Sequence, residues 1–158
     1  MNSLPSYTLA EATQKAEHYC AYQERCHQEV IKKLQSMRMI SQAIDVIMVH
    51  LIEHNFLNET RFAVSFARGK HRIKHWGTIR IVRELKMRGI SEYNIKQGLK
   101  ELVVEDYQSN FDLLAEKHWE QMTEKNKFVK RKKFCDFLLR KGFESNLIYA
   151  KMKDMEKG

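Results

Sequence analysis

Two kinds of side chain in this sequence could carry out chemistry: histidines at metal-binding spacing, and dense runs of lysine and arginine. His50, Glu53 and His54 form the pattern His-x-x-Glu-His, in which two imidazoles on one helix face can bind zinc beside a glutamate base. Leu51 lies in the apolar register of the same helix, and no second motif supplies a distal acidic ligand. We therefore predict a structural segment here, and a non-enzymatic chain with no catalytic residue, metal or cofactor.

The other histidines and the cysteines are weaker candidates for a site. His71 and His75 are also four residues apart, but they lie among basic residues and are predicted to be protonated and to face solvent. Cys20, Cys26 and Cys135 make an odd number without a Cys-x-x-Cys pair, so the chain is expected to have no disulfide framework and to lie in a reducing compartment. Cys135 is predicted to be a small core residue.

The basic residues are concentrated in the middle third of the chain. The formal net charge is +8, of which residues 58–103 carry +7, residues 104–158 carry +2 and residues 1–57 carry −1. Such a surplus fits a polyanion or an acidic protein surface, although a solvated helix face is the simpler alternative. The candidate contacts to such a partner are Arg61, Arg68, Lys70, Arg72, Lys74, Arg80, Arg83, Lys86, Arg88, Lys130, Arg131, Lys132 and Lys133.

Some members of these clusters have an alternative local role. Arg80, Glu84 and Arg88 are spaced i, i+4, i+8, which is typical of an exposed ion-pair ladder on a helix. Trp76 could stack on a nucleobase, but a tryptophan at a helix start more often anchors packing. A different function would need a helix-turn-helix that reads bases, and its polar candidates are Ser91, Glu92, Tyr93 and Asn94.

An internal repeat shows which elements carry these residues. Shifting the chain by 51 residues aligns the first third with the middle, and shifting it by 53 aligns the middle with the last third. The matched positions are almost all apolar and recur at helical spacing. Examples are Ile44 with Ile95, Leu34 with Leu85, Leu85 with Leu138, and Gly89 with Gly142.

Each unit is predicted to contain three helices. In the middle unit Asn58 can cap the first helix, the second spans about 77–88, and the third begins after Ser91 and continues to about Val104. Gly89 and Gly142 suit left-handed positions that end helices, and Thr8 with Glu11 fits a capping box. The third helix of the last unit is expected to begin at about Glu144.

The chain is therefore predicted to be all-α, an elongated array of three tandem three-helix repeats with about nine helices. Its 1 Pro and 6 Gly are too few for the turns of a many-stranded sheet protein. The expected repeats are residues 8–57, 58–105 and 106–156. The start has no signal-peptide pattern, and the longest apolar stretch, residues 44–52, is too short to cross a bilayer. We expect a soluble, cytoplasmic monomer.

The middle unit contains, in order, an aromatic-Leu turn, an Asn step, Arg-Phe-Ala, a basic helix, a Gly, Arg-Ile, Glu-Leu and Arg-Gly-Ile. The residues at those steps are Phe56, Leu57, Asn58, Arg61, Phe62, Ala63, Gly77, Arg80, Ile81, Glu84, Leu85, Arg88, Gly89 and Ile90. This series resembles the pattern of the RecX family of bacterial regulators of the RecA recombinase. Two positions depart from the family: Asn55 replaces a usual glycine, and Met39 stands where a glycine often ends the second helix of the first unit.

The resemblance covers roughly residues 10–155 and implies three tandem three-helix repeats. It also implies a regulator of homologous recombination, DNA repair and the SOS response. Such a regulator lies in the groove of the RecA–DNA filament, blocks its growth or promotes its disassembly, and so lowers ATP hydrolysis by RecA. Direct contact with single- or double-stranded DNA stays open, and a helix-turn-helix protein acting without RecA is the alternative.

Overall fold

The computed structural model describes residues 6–158, and this part of the chain forms nine α-helices and no strand. Repeat 1 contains α1 (Leu9–Tyr22), α2 (His27–Ser36) and α3 (Ser41–Glu53). Repeat 2 contains α4 (Glu59–Lys74), α5 (Thr78–Met87) and α6 (Glu92–Lys100). Repeat 3 contains α7 (Val104–Gln121), α8 (Lys127–Lys141) and α9 (Ser145–Lys157). The predicted all-α array of three tandem three-helix repeats is confirmed. No helix of the described residues is both long and apolar enough to cross a membrane.

Most of the predicted helix ends are confirmed by the hydrogen bonds that form them. The Thr8 side chain and the Glu11 side chain make a reciprocal capping box before α1. Asn58 and Ser91 accept backbone N–H bonds from Arg61 and Asn94, at 2.9 and 3.2 Å, at the starts of α4 and α6. These side chains satisfy donors that the first helical turn would otherwise leave without a partner.

Glycines end two helices where the backbone turns left-handed. Gly89 has φ of +75° after α5 and Gly142 has φ of +93° after α8, as the repeat predicts. The matching residue in repeat 1 is Arg38, with φ of +62°, so the assignment of this position to Met39 was wrong by one residue. The predicted extension of α6 to Val104 was also wrong. The chain leaves the helix after Lys100 because Val103 already caps α7.

Each repeat packs around its own apolar core. Repeat 1 buries residues such as Leu34 and Leu51, repeat 2 buries Ile81 and Leu85, and repeat 3 buries Phe134 among others. Burying one such side chain contributes about 1.5–3 kcal/mol to folding. The closely packed helix pairs also lie within repeats, and α4 against α6 is the most extensive of them. The molecule is therefore an array of small cores joined by narrower junctions.

The junction between repeats 1 and 2 uses side chains. Cys26 precedes α2 in repeat 1, yet it is fully buried in the core of repeat 2. Arg61 of α4 reaches back to Glu24, with 2.6 Å between Nε and Oε1. His27 lies 3.4 Å from the Glu59 carboxylate.

The junction between repeats 2 and 3 brings backbone against backbone. The N–H groups of Gly77 and Ile79 donate to the carbonyls of Lys141 and Gly142, at 2.7 and 3.0 Å. Backbone N–H groups at the start of α5 therefore donate to carbonyls at the end of α8, and both are groups that lack a partner within their own helix. A Cβ on Gly77 would overlap the Gly142 carbonyl, so this close approach requires glycine.

A partly buried polar cluster closes the same junction. The Tyr107 hydroxyl donates to the Glu144 carboxylate at 2.9 Å and accepts from the Thr78 N–H at 3.1 Å. The Thr78 hydroxyl also donates to Glu144. Burial raises the pKa of Tyr107 to about 12, so the phenol keeps its proton and remains a donor at neutral pH.

Candidate partner-binding surface

A row of cations and aromatic rings runs along repeat 2 and is the most ordered basic feature of the molecule. Arg88 lies over the Phe66 ring at 4.8 Å, and Lys70 lies 5.5 Å from the same ring. Lys70 is also 5.1 Å from the Trp76 ring, and Arg80 lies over that ring at 4.3 Å. We call these five residues the cation–aromatic ladder. Aromatic faces attract cations without neutralising them, so the rings hold Lys70 and Arg80 in place and leave their charges positive, whereas Arg88 also pairs with Glu84.

The ladder continues to the junction with repeat 3. Arg80 donates from Nη1 to the Arg140 carbonyl at 3.1 Å, and Lys141 donates from Nζ to the Lys74 carbonyl at 3.2 Å. Burial, together with the nearby charges of Arg80 and Lys74, lowers the pKa of Lys141. Three cations from two repeats, Arg80, Lys74 and Lys141, therefore lie close together here, and helix-end carbonyls rather than carboxylates hold Arg80 and Lys141.

The exposed face of α5 carries a second basic group. Arg83 and Lys86 are exposed, and neither forms an ion pair with a carboxylate among residues 6–158. They line a shallow depression with Ile79, Val82 and Met87. Ile79 and Met87 are large apolar residues that the fold leaves exposed. The surface thus combines uncompensated charge with apolar area.

A third basic group faces the opposite side of α4. Arg68, Arg72 and His75 line a groove of about 620 Å³ between repeats 2 and 3, with Lys117 on the α7 side. Arg68 makes only a loose ion pair with Glu101, at 3.9 Å. The cations predicted for repeat 2 are therefore spread over three faces rather than collected in one pocket.

Arg61 and Arg88 have partners inside the protein. Arg61 donates to Glu24, to both oxygens of Asn55 and to the Phe56 carbonyl, so its guanidinium holds the repeat 1–2 junction together. Arg88 pairs with Glu84 at 3.0 Å. Of the predicted ion pairs of Glu84 with Arg80 and Arg88, only the pair with Arg88 forms. Arg80 contacts the Trp76 ring and the Arg140 carbonyl instead.

The basic cluster of repeat 3 is largely compensated. Arg131 pairs with Glu156, Lys133 with Glu124, and Lys132 with Asp136 at 2.7 Å. Lys130 lies over the Trp119 ring at 4.1 Å. The run of adjacent cations in this cluster suggested a strong positive surface, but Asp136 within α8 and Glu124 and Glu156 outside it compensate three of these charges. The two candidate clusters are therefore electrostatically different.

His71 is not a solvent-facing histidine, and that prediction was wrong. Its side chain is only 3% exposed and lies against Tyr107, with ring centroids 5.0 Å apart. Nδ1 is 2.9 Å from the Trp76 carbonyl, and Nε2 is 3.1 Å from the Asn110 amide nitrogen. A carbonyl only accepts, so Nδ1 carries the proton and Nε2 accepts from Asn110. His75, in contrast, is exposed in a left-handed turn.

The His-x-x-Glu-His segment closes α3 as an ordinary structural element. Leu51 is fully buried in the repeat 1 core, as its register predicts. His50 bonds Glu17 at 2.8 Å, and the His54 ring lies 4.4 Å from the His50 ring. Among residues 6–158 no group of three or more His, Cys, Asp or Glu side chains could hold a metal ion.

Two of the four polar candidates for base reading are occupied. The Ser91 hydroxyl caps α6, and the Asn94 side chain accepts from the Thr60 hydroxyl at 2.7 Å. Glu92 and Tyr93 are exposed, but a carboxylate at a helix start repels the phosphates beside it. The geometry of α6 gives little support to sequence-specific DNA reading.

The aromatic members of the ladder are functional candidates that the sequence left undecided. Phe66 and Trp76 pack on each other at 6.1 Å while presenting faces to cations. A sequence signal existed for Phe66 and Lys70, which are an i, i+4 pair on one face of α4. Trp76 precedes α5, so its contact with Arg80 is not a pair on one helix face. The Arg80–Arg140 contact joins residues 60 positions apart, and no local pattern indicates it.

Comparison with known proteins assigns the family. The RecX second three-helix domain matches residues 58–99, and the RecX third three-helix domain matches residues 105–152. Together these two domains cover more than half of the chain. The chain belongs to the RecX family. Its RecX domains are those of repeats 2 and 3 as the structure defines them.

Individual RecX proteins show how far the similarity extends. Regulatory protein RecX of Bacillus cytotoxicus is 28% identical over 156 residues, and that of Bacillus mycoides is 25% identical. Each alignment covers 98% of this chain but 57% of the relative, so the chain spans little more than half the length of these RecX proteins.

Solved RecX structures share the fold. The crystal structure of RecX from Lactobacillus salivarius superimposes with a TM-score of 0.79 at 24% identity, covering 95% of this chain and 97% of that one. A second regulatory protein RecX gives a TM-score of 0.78 at 24% identity, covering 92% and 74%. The three-repeat architecture is thus shared at low sequence identity.

Proposed function

We propose that this chain is a regulator that binds the RecA–DNA filament and lowers RecA-dependent ATP hydrolysis and strand exchange. It acts in the cytoplasm as a stoichiometric binding protein, blocking filament growth or promoting disassembly, and it performs no reaction of its own. Membership of the RecX family supports the partner. The observation that carries the proposal is the charge of repeat 2, which the protein does not neutralise.

The electrostatics of repeat 2 suit a filament that presents phosphates and acidic protein surface. Each Lys or Arg brought to a phosphate releases condensed counterions, and the affinity then falls steeply as salt is added. In the ladder, Lys70 and Arg80 rest on aromatic rings rather than on carboxylates, so their charges remain available. Their positions are fixed before binding, which reduces the entropy lost on association.

The cations of repeat 3 contribute less to this proposal. Three of the four candidates there already pair with carboxylates within the protein. A partner would have to displace those pairs, and their exchange for new ones brings little net free energy. We therefore place the principal contact on repeat 2 and its junction with Arg140 and Lys141.

ATP hydrolysis by RecA on single-stranded DNA tests the function. RecA filaments are formed first, and the chain is then added in increasing amounts at several salt concentrations. We expect ATP hydrolysis to fall as the chain is added, until its concentration matches that of its binding sites on the filament. Inhibition should weaken as the salt concentration rises. Hydrolysis that stays unchanged at saturating protein would refute the proposal. Forming the filaments first separates an effect on RecA from simple competition for naked DNA.

A further inference from the structure

Helix α8 contains one turn that the repeat architecture does not require. The second helices of repeats 1 and 2, α2 and α5, are each 10 residues long, whereas α8 has 15. In the repeat register Lys130 corresponds to Gly77, the residue that caps α5. Residues 127–130 therefore add a turn at the start of α8 that has no counterpart in the other repeats.

This added turn presents an aromatic ring to solvent. Phe128 is 77% exposed and is not among the side chains of the described repeat 3 core. The neighbouring Val129 is also largely exposed. Exposing a phenylalanine forfeits the free energy of burying its ring, and the described repeat 3 core gains no packing from it.

Basic side chains surround the ring. Lys125 and Lys127 are exposed, and neither forms an ion pair within the part of the chain that the structure describes. The Arg131 guanidinium lies 5.9 Å from the centre of the Phe128 ring. Counting the paired residues as well, residues 125–133 supply six cations, and three carboxylates from Glu124, Asp136 and Glu156 offset half of them.

An exposed aromatic face beside two lysines that form no ion pair among residues 6–158 matches the chemistry of a single DNA strand. An unpaired base offers a π-face that stacks on the ring, and the flanking phosphates meet the lysines. In a duplex the bases are already stacked on each other, so only the phosphates could engage. An acidic protein partner would satisfy the lysines, but the grooves found on residues 6–158 are lined by residues outside the added turn.

We infer that Phe128, with Lys125 and Lys127, forms a stacking site for single-stranded DNA on repeat 3. The site is separate from the cation–aromatic ladder of repeat 2 and does not depend on RecA. A base stacks on the exposed Phe128 ring, and the two lysines contact the adjacent phosphates. Because one ring and two lysines make a small contact, the interaction is weak and sensitive to salt.

The test measures binding of fluorescein-labelled dT20 by anisotropy at low salt, in the absence of RecA. Phe128→Ala is expected to raise the Kd for dT20 about 5- to 50-fold. Phe128→Trp is expected to stay within about twofold of the unmodified chain, since a larger ring stacks at least as well. Lys125→Ala with Lys127→Ala should reduce the salt slope by about 1.4, the value for two phosphate contacts on a single strand.

Two controls make the result specific. Tyr22→Ala removes another highly exposed aromatic residue, in the acidic first repeat, and should leave dT20 binding unchanged. A 20-base-pair duplex should bind Phe128→Ala and the unmodified chain equally. Thermal melting followed by circular dichroism verifies that each variant is folded, and the exposure of Phe128 predicts an unchanged melting temperature.

Three outcomes would overturn the inference. The first is that the unmodified chain does not bind dT20, and the second is that Phe128→Ala binds dT20 as tightly as the unmodified chain. The third is that Phe128→Ala weakens the binding of dT20 and of the duplex equally. Loss of RecA inhibition by Phe128→Ala with unaltered dT20 binding would assign the ring to a protein contact instead. Because no RecA is present in the binding assay, its failure leaves the proposed regulation of RecA untouched, and the reverse also holds.

Discussion

The Arg61 guanidinium contacts both sides of the repeat 1–2 junction. It pairs with Glu24 between α1 and α2, and it also donates to Asn55 and Phe56 at the end of repeat 1. Asn55 has φ of +62°, so these bonds hold a left-handed turn in place. Its basic character alone suggested a partner contact. Its hydrogen bonds indicate that it positions repeat 1 against repeat 2.

Arg61→Ala should lower the free energy of unfolding by about 1–2 kcal/mol, a value reduced for the partial solvent exposure of the pair. Glu24→Ala should cost less, and the double variant should cost less than the sum of the two. Urea unfolding of the four proteins measures this coupling. An Arg61→Ala variant of unchanged stability that no longer inhibits RecA would show instead that Arg61 contacts the partner.

The thiols of Cys20 and Cys26 should be unreactive in the folded protein. Burial raises the pKa of each to about 11. At pH 8 about 0.1% of such a thiol is thiolate, against roughly a quarter of an unperturbed one with pKa near 8.5. Titration with a disulfide reagent should therefore show both reacting at least about 100-fold faster in guanidinium than in native buffer. Equal rates in the two conditions would contradict the packing of Cys26 in the repeat 2 core.

At the scale of elements, the start of α5 depends on its contact with α8. Gly77 donates to Lys141, and its missing side chain is what lets the Gly142 carbonyl approach. A methyl group on Gly77 would also lie 2.6 Å from the Phe143 nitrogen, so the two helix ends would have to separate.

Gly77→Ala should therefore destabilise the protein by about 1–3 kcal/mol, the usual cost of overpacking. Gly69→Ala is the matched control. Gly69 lies within α4 with open space around it, and alanine there should stabilise the helix by about 0.5–1 kcal/mol. Thermal unfolding of both variants checks the opposite signs. A Gly77→Ala variant as stable as the unmodified chain would mean that the junction yields without cost.

The helices and their ends were the most predictable features of this structure. Capping residues and terminal glycines act through bonds to neighbours in the sequence, so Asn58, Ser91, Gly89 and Gly142 indicate the helix ends directly. His71 was mispredicted because Tyr107 and Asn110 of α7 cover its ring only after repeats 2 and 3 join, while its second bond is to the nearby Trp76 carbonyl. Side chains at junctions depend on contacts that no local pattern encodes.

At the scale of the whole molecule, the sequence predicts where the charge is but not where it is neutralised. The periodic apolar positions establish three repeats, because each repeat must bury a similar core. The net charge of each third follows from counting. The compensation of Arg131 and Lys133 does not, since Glu156 and Glu124 reach them through the packing around α8, whereas Lys132 and Asp136 are an i, i+4 pair within that helix. Only the folded chain separates an open basic surface on repeat 2 from a paired one on repeat 3.

The central claim is that the exposed cations on α5 of repeat 2, Arg83 and Lys86, belong to the surface that binds the RecA filament. Arg83→Glu with Lys86→Glu reverses two exposed charges on α5, and Lys96→Glu with Lys100→Glu makes the same change in net charge on α6 of the same repeat. Both pairs lie on the surface, so both variants should fold.

The decisive measurement is the concentration of each variant that halves ATP hydrolysis by preformed RecA filaments. We expect the α5 variant to need at least about 10-fold more protein than the unmodified chain, which corresponds to a loss of about 1.4 kcal/mol. The α6 variant should need less than about threefold more. Equal inhibition by the α5 variant and the unmodified chain, or equal loss in the two variants, would contradict the assignment of this surface.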